Sequence, residues 1–143
     1  MSVNYKLFVL LAAAGIVIAA YHAYSELTQV FTFCNINVHI SCGLVFQTGY
    51  TTIVIGKVAV PFWLLGVVWF PMIFLLGIIL WNRSRIFLLL TILLIGDMFT
   101  VYLWYVEIRM VWPAAHALCP VCVTLYAINY VLTGISALSV DYS

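Results

Sequence analysis

The sequence contains very few charged side chains. Only 6% of its 143 residues are Asp, Glu, Lys or Arg, whereas a soluble domain carries about 25%. A water-soluble fold of this size could not cover its surface with so few polar groups. The formal net charge is +1, which excludes the broad basic surface of a nucleic-acid-binding protein. Since 67% of the residues are hydrophobic, lipid must be the solvent for most of the surface.

Low-complexity segments and repeats of a fixed period are also absent from the sequence. What the sequence does contain is four apolar stretches, each long enough to cross a bilayer, which takes about 20 residues. They cover about residues 7–24, 61–81, 86–106 and 118–138. The sequence therefore predicts an all-α integral membrane protein, a four-transmembrane-helix bundle that forms one domain over residues 1–143.

The connections between the predicted spans differ in length and polarity. Residues 26–60 are rich in polar side chains and predict a long ordered loop between the first two spans. The short segment Asn82–Arg85 predicts a tight turn, so that the second and third spans form an antiparallel hairpin. Basic residues in short loops mark the cytoplasmic side, and Arg83 and Arg85 lie in this turn. We therefore predict a cell-membrane protein with both termini in the cytoplasm and the long loop outside.

Four cysteines form two pairs in the sequence. Cys34 and Cys42 lie in the long loop, and Cys119 and Cys122 lie at the start of the fourth span. The second and third spans separate the two pairs. Because a chain that crosses the membrane twice returns to the side it left, all four thiols are predicted to share one face. In the orientation given above, that face is the external one.

The segment Cys119-Pro-Val-Cys122 has the Cys-X-X-Cys spacing at a predicted helix start. Residues three apart share a helix face, so the two sulfurs can bond with little change in the backbone. The unpaired N–H groups and partial positive charge of a helix N-terminus stabilise a thiolate, which is the reactive form of cysteine. With a second pair on the same side, this motif favours thiol–disulfide exchange.

Four cysteines are also compatible with other roles. Two structural disulfides commonly brace an extracellular loop, and four thiolates can bind zinc. No histidine follows the Cys-X-X-Cys motif, which argues against covalent haem attachment. A small transporter subunit would be expected to carry more intramembrane polar groups than Asp97. We favour a redox enzyme without a metal, and the alternatives are a non-catalytic membrane protein with structural disulfides or a transporter subunit.

Both cysteine segments resemble those of the vitamin K epoxide reductase family. The run from Cys119 to Asn129 is similar to the family's active-site segment, and the run from Cys34 to Cys42 is similar to its redox loop. Tyr102 and Glu107 resemble residues of the prokaryotic members. A second quinone-linked family with four spans places its Cys-X-X-Cys motif before the wider pair, whereas here the motif comes after it.

The resemblance implies a four-helix bundle around a quinone and a thiol–disulfide oxidoreductase activity. By position in the motifs, Cys122 would face the quinone ring and Cys119 would exchange with Cys42. Cys34 would then exchange with an external partner, so that Cys34 and Cys42 act as a shuttle pair. Prokaryotic members oxidise a thioredoxin-like protein, and we expect that partner to be a separate protein here.

A quinone of the ubiquinone or menaquinone type needs a flat apolar slot with one or two hydrogen-bond donors. The resemblance implies that Tyr126 lines this slot, and its position four residues after Cys122 places both on one helix face. Trp63 and Phe99 are further candidates for the lining, although packing or lipid contact explains each of them better. Animal members have a pocket asparagine where this sequence is apolar around Phe62, so epoxide reduction is not expected.

Overall fold

The computed structural model describes residues 3–28, 40, 52–115 and 119–140. Cys34 and Cys42 therefore lie outside the described residues. Within the described part, four helices are long and apolar enough to cross a membrane, which confirms the predicted four-span bundle. The helices are α1 (Val3–Thr28), α2 (Phe62–Leu80), α3 (Ile86–Val106), the short α4 (Trp112–Ala115) and α5 (Pro120–Val140).

The predicted turn between the second and third spans joins α2 to α3. The Asn82 side chain organises this turn, because its Oδ1 accepts hydrogen bonds from the backbone N–H groups of Ser84 and Arg85 at 3.2 and 3.0 Å. It also accepts one from the Ser84 hydroxyl at 2.9 Å. Asparagine favours tight turns through such local bonds. A short polar segment therefore suffices to connect two consecutive spans.

Helix α1 lies against α2 and α5, and α3 lies against α5. The α1–α2 interface contains two reciprocal contacts between a phenylalanine and a glycine. The Phe8 ring of α1 covers Gly77 of α2, and the Phe70 ring of α2 covers Gly15 of α1. Both rings are almost completely buried. These Phe–Gly contacts let the two backbones approach closely, as small residues commonly do between membrane helices.

An antiparallel β-hairpin directly precedes α2. Strand β1 (Thr52–Ile55) pairs with β2 (Val58–Pro61), and Gly56 in the turn has a φ of 62°. Glycine adopts this left-handed conformation without steric cost. We predicted only an ordered loop here, because two strands of four residues are too short to show a clear period.

Helix α3 continues into one turn of π-helix, Glu107–Val111, before α4 begins. The backbone N–H of Trp112 donates to the carbonyl of Glu107, five residues back, which is the hydrogen-bond spacing of a π-helix. Single π turns are frequent at functional sites. Here the turn contains Glu107, a buried acid that contacts the start of α5.

Candidate functional site

Cys119 immediately precedes α5, and its side chain caps this helix. The backbone N–H of Cys122 donates a hydrogen bond to Cys119 Sγ at 3.3 Å. Ser, Thr or Asp usually accepts this bond at a helix start. Cys119 and Cys122 are both buried free thiols. The structure thus places the Cys-X-X-Cys motif at a helix N-terminus, with the first sulfur directed at the unpaired N–H groups.

The surroundings of Cys119 favour its thiolate form. Burial alone raises the pKa of this thiol, but hydrogen bonding to the Cys122 side chain and interactions with His22 outweigh burial and lower the pKa to about 6. An unperturbed cysteine has a pKa of about 8.5. The Cys119 thiolate is therefore favoured relative to that of an ordinary cysteine, and the thiolate is the form that takes part in disulfide exchange.

Glu107 approaches the same helix start from the end of α3. Its Oε1 accepts a hydrogen bond from the backbone N–H of Cys119 at 2.8 Å. A carboxylate is favourable near a helix N-terminus because of the partial positive charge there. This contact holds the Cys119 backbone against the π-helix, and so fixes where the Cys119 side chain lies.

A histidine of α1 completes the surroundings of the two thiols. His22 Nε2 lies 3.8 Å from Cys122 Sγ and 2.9 Å from Glu26 Oε1. The ring also hydrogen bonds to the Cys119 side chain. We did not predict His22 or Glu26 as site residues, because the predicted first span ended near residue 24 and left Glu26 in the loop, whereas α1 extends to Thr28. With the helix extended, the spacing of the two residues is a signal. Two ionisable residues four apart inside an apolar helix share one face, and such groups are costly in a membrane and often functional.

His22, Cys119 and Cys122 together form a thiol–imidazole cluster. Their potential ligand atoms all lie within 4.8 Å of one another, and all three residues are buried. Such a set of atoms can bind a metal ion, as the three protein ligands of a catalytic zinc site do. Two neighbouring thiols beside an imidazole can equally carry out thiol–disulfide exchange.

A cavity of about 480 Å³ lies next to the cluster, within the usual range of about 300–1,000 Å³ for small-molecule sites. His22, Cys122 and Tyr126 line it, and so does Phe99. Trp63 is not among the lining residues that the structure describes, whereas Phe62, the residue before it, does line the cavity. Most of the lining is apolar. The described lining residues are His22, Val60, Phe62, Leu64, Leu65, Gly66, Val68, Trp69, Phe70, Met72, Ile95, Gly96, Phe99, Thr100, Leu103, Cys122, Leu125, Tyr126 and Asn129.

A chain of hydrogen bonds borders the cavity about 10 Å along α5 from Cys122, or two helical turns. Trp69 Nε1 donates to Asn129 Oδ1 at 2.8 Å, and Asn129 Nδ2 donates to Asp97 Oδ1 at 2.5 Å. Asn129 is almost completely buried. This chain gives Asp97 a partner inside the bundle and connects α2, α3 and α5.

Asn129→Leu is expected to lower the free energy of unfolding by about 1–3 kcal/mol, because the Trp69 N–H and the Asp97 side chain each lose a hydrogen bond to the Asn129 amide. The measurement is reversible unfolding of the purified protein in mixed micelles. Tyr130→Phe is the matched control, since it changes the next residue of α5, which is half-exposed. Equal losses in the two variants would contradict a stabilising role for the hydrogen-bond chain.

The family to which the chain belongs decides between a redox enzyme, a non-catalytic membrane protein and a transporter subunit. The model of the vitamin K epoxide reductase family matches residues 6–137. The chain belongs to the vitamin K epoxide reductase family. It is therefore a multi-pass membrane protein and an oxidoreductase, and the predicted family membership is confirmed. A search of curated proteins gives no significant match to the sequence.

The structure brings together part of the predicted site of this vitamin K epoxide reductase family member. Cys119 and Cys122 are adjacent at the start of α5, and Tyr126 and Phe99 line the same cavity as Cys122. The predicted loop pair lies outside the described residues, so the contact between the two cysteine pairs stays a prediction. The described geometry adds His22, Glu26 and Glu107 to the residues around the thiols.

Proposed function

We propose that this protein is a quinone-dependent thiol–disulfide oxidoreductase that takes electrons from a thioredoxin-like protein and so supports disulfide-bond formation. One observation carries this proposal. The Cys122 thiol lines an apolar cavity, while Cys119, the thiol with the lowered pKa, lies directly beside it. A dithiol in this position can receive electrons by exchange at one sulfur and release them into the cavity from the other.

The cavity fits a quinone head group. Its apolar walls suit a flat ring, and His22 and Tyr126 provide hydrogen-bonding groups at the end where Cys122 lies. A bound quinone would supply the oxidising capacity, since its reduction to hydroquinone takes up two electrons and two protons. Ubiquinone and menaquinone both have the ring and the lipid-soluble tail that this cavity would take.

Part of the cavity lining is also part of the lipid-facing surface. Val68 of α2 and Ile95 of α3 line the cavity and are 58% and 62% exposed. In a bilayer, these exposed side chains contact lipid acyl chains. This arrangement supports the entry of a lipid-soluble ligand from the bilayer between α2 and α3.

We propose that electrons reach the cavity by successive thiol exchange. A reduced partner protein would attack the disulfide of the shuttle pair at Cys34, and the thiolate of Cys42 would then attack a Cys119–Cys122 disulfide at Cys119. Each step is the attack of a thiolate on a disulfide sulfur through a mixed disulfide. That attack releases Cys122 and leaves a Cys42–Cys119 mixed disulfide, which Cys34 resolves by attacking Cys42, so that the shuttle disulfide reforms and Cys119 leaves. The lowered pKa of Cys119 supports its place in this sequence, because a thiol of low pKa is a good leaving group.

The proposed orientation places both termini in the cytoplasm and the four cysteines outside the cell membrane. Arg83 and Arg85 support it, since both are exposed in the short α2–α3 turn and short basic loops remain inside. Cys119 follows the opposite end of α3. External thiols would meet the oxidising conditions under which protein disulfides form and persist.

The direct test is quinone reduction by the purified protein in lipid nanodiscs. With a reduced thioredoxin-like protein as the electron donor, we expect a short-chain ubiquinone or menaquinone to be reduced, with one disulfide formed for each quinone. Cys34→Ser should block this reaction but retain quinone reduction by a small dithiol that reaches Cys119 directly. If the wild-type protein reduces neither quinone with either donor, the proposed function is wrong.

A further inference from the structure

His22 contacts both the cysteine pair and the cavity proposed to bind the quinone. Its Nε2 is 3.8 Å from Cys122 Sγ, its ring hydrogen bonds to Cys119, and it also lines the cavity. The exchange path through the cysteines requires no such group. His22 nevertheless contacts both thiols and the cavity, so it can take a proton from the thiols and pass it to a ligand there.

The position of Glu26 indicates that His22 does more than pack between the helices. Glu26 Oε1 lies 2.9 Å from His22 Nε2, one helical turn along α1, and both side chains are buried. Apolar residues would fill the same volume in a membrane helix at a lower desolvation cost. A carboxylate against the imidazole stabilises its protonated form, because an opposite charge favours the charged state of a titratable group.

We propose that His22 is a catalytic residue that accepts a proton from the cysteine pair and donates it to the quinone, with Glu26 as the residue that positions and stabilises the protonated imidazole. This inference rests on the proposed function and deepens it, because it assigns the proton path of the same site. The exchange sequence above assigns only the path of the electrons.

The proposed step balances in protons and electrons. In the reduced site, one proton has passed from Cys119 to His22, which leaves a Cys119 thiolate, a Cys122 thiol and an imidazolium. The Cys119–Cys122 disulfide then forms with the loss of two electrons and of the protons on Cys122 and His22. Both electrons and both protons enter the quinone, which leaves as hydroquinone, and His22 returns to its neutral form. The next reduction of the disulfide restores the starting state.

The charges around His22 favour this assignment. Glu26 faces it from α1, Glu107 approaches from the π-helix, and Cys119, Cys122 and Tyr126 lie at the start of α5. All of these titratable groups are either anionic or neutral. In the described residues, His22 is therefore the one basic group among them, and a proton shared within this set is best held on its ring.

The kinetic test compares His22→Gln with the wild type, with a small dithiol as the electron donor. Glutamine retains much of the size and hydrogen-bonding capacity of histidine but cannot hold a proton at neutral pH. We expect kcat to fall by about a hundredfold or more, the usual contribution of a general acid or base. Free imidazole should restore part of the rate in His22→Ala. Tyr24→Gln is the control, because Tyr24 lies on the exposed side of the same turn of α1.

A second measurement needs no quinone. The ultraviolet absorbance of the reduced protein reports thiolate formation as the pH is raised, with a midpoint expected near the Cys119 pKa of about 6 in the wild type. Because the imidazolium stabilises the thiolate, His22→Gln should move this midpoint to higher pH. If the thiolate titrations of His22→Gln and the wild type have the same midpoint, or if the two proteins reduce quinone at the same rate, the assignment of His22 is wrong. A wild type that reduces no quinone would instead overturn the proposed function, and the titration would still decide whether His22 shares a proton with the thiols.

Discussion

Cys122→Ala is expected to lower the rate of quinone reduction by about a thousandfold or more, as the removal of a reacting group commonly does. Cys122 carries the one thiol among the described residues that line the cavity. Without it, Cys119 has no partner in the motif with which to form a disulfide. Electrons could still reach Cys119 by exchange, but they would have no path from Cys119 to a ligand in the cavity.

The same variant should still fold, because a buried cysteine behaves as a small hydrophobic residue and alanine fits into the same space. Val123→Ala, at the next position of α5, is the matched control and should keep its activity. In cells, Cys122→Ala should accumulate the Cys42–Cys119 disulfide, which is detectable as a shift in gel mobility after thiol alkylation. Quinone reduction by the variant at close to the wild-type rate would show that electrons leave through another group.

The combined substitution Gly15→Ala and Gly77→Ala is expected to lower the free energy of unfolding by about 2–6 kcal/mol, with about 1–3 kcal/mol from each overpacked site. A Cβ at Gly77 would overlap the ring of Phe8, and a Cβ at Gly15 would overlap that of Phe70. The two contacts are seven residues, or about 10 Å, apart along α1, so their effects should be nearly additive. A loss of this size is a large part of the usual total of about 5–15 kcal/mol.

Gly134→Ala is the control for these variants. Gly134 lies in α5, and a Cβ there would meet nothing within 4 Å. This substitution should stabilise the protein by up to about 1 kcal/mol, because glycine is unfavourable inside a helix. Phe8→Leu in the Gly77→Ala background should recover part of the lost stability, since it removes the ring from the new methyl group. If Gly77→Ala and Gly134→Ala have the same effect on unfolding in mixed micelles, close packing of α1 on α2 does not stabilise the fold.

The spans could be predicted from the sequence because membrane solvation depends on composition alone. A stretch such as 86–106 has to be helical and apolar wherever its neighbours lie. The position of Cys119 and Cys122 at a helix start was also predictable, since a proline follows Cys119 and an apolar run begins there. The shared membrane face of all four thiols stays a prediction, because two of them lie outside the described residues.

The contacts between helices could not be predicted in the same way. The residues around Gly77 in the sequence do not predict that the Phe8 ring covers it, because the two residues belong to different spans. His22 and Glu26 do have a signal in the local sequence, since they are two ionisable residues four apart at the end of an apolar stretch. The contact of His22 with Cys122 could not be predicted, since the two residues are 100 positions apart along the chain. The cavity is likewise formed by side chains from four helices and a strand. The sequence of any one of these elements does not show that they meet around a cavity.

The π-helix at the end of α3 determines the rotational phase of α4, which continues it directly. Each residue turns an α-helix by about 100°, and a π turn contains one residue more than an α turn would need. Deleting a single residue from 108–111 would leave Leu103 and Val106 packed where they are and would rotate α4 by about 100° relative to α3. The direction of α4 therefore depends on the length of this segment, whereas the contact with the Cys119 N–H depends on Glu107 itself.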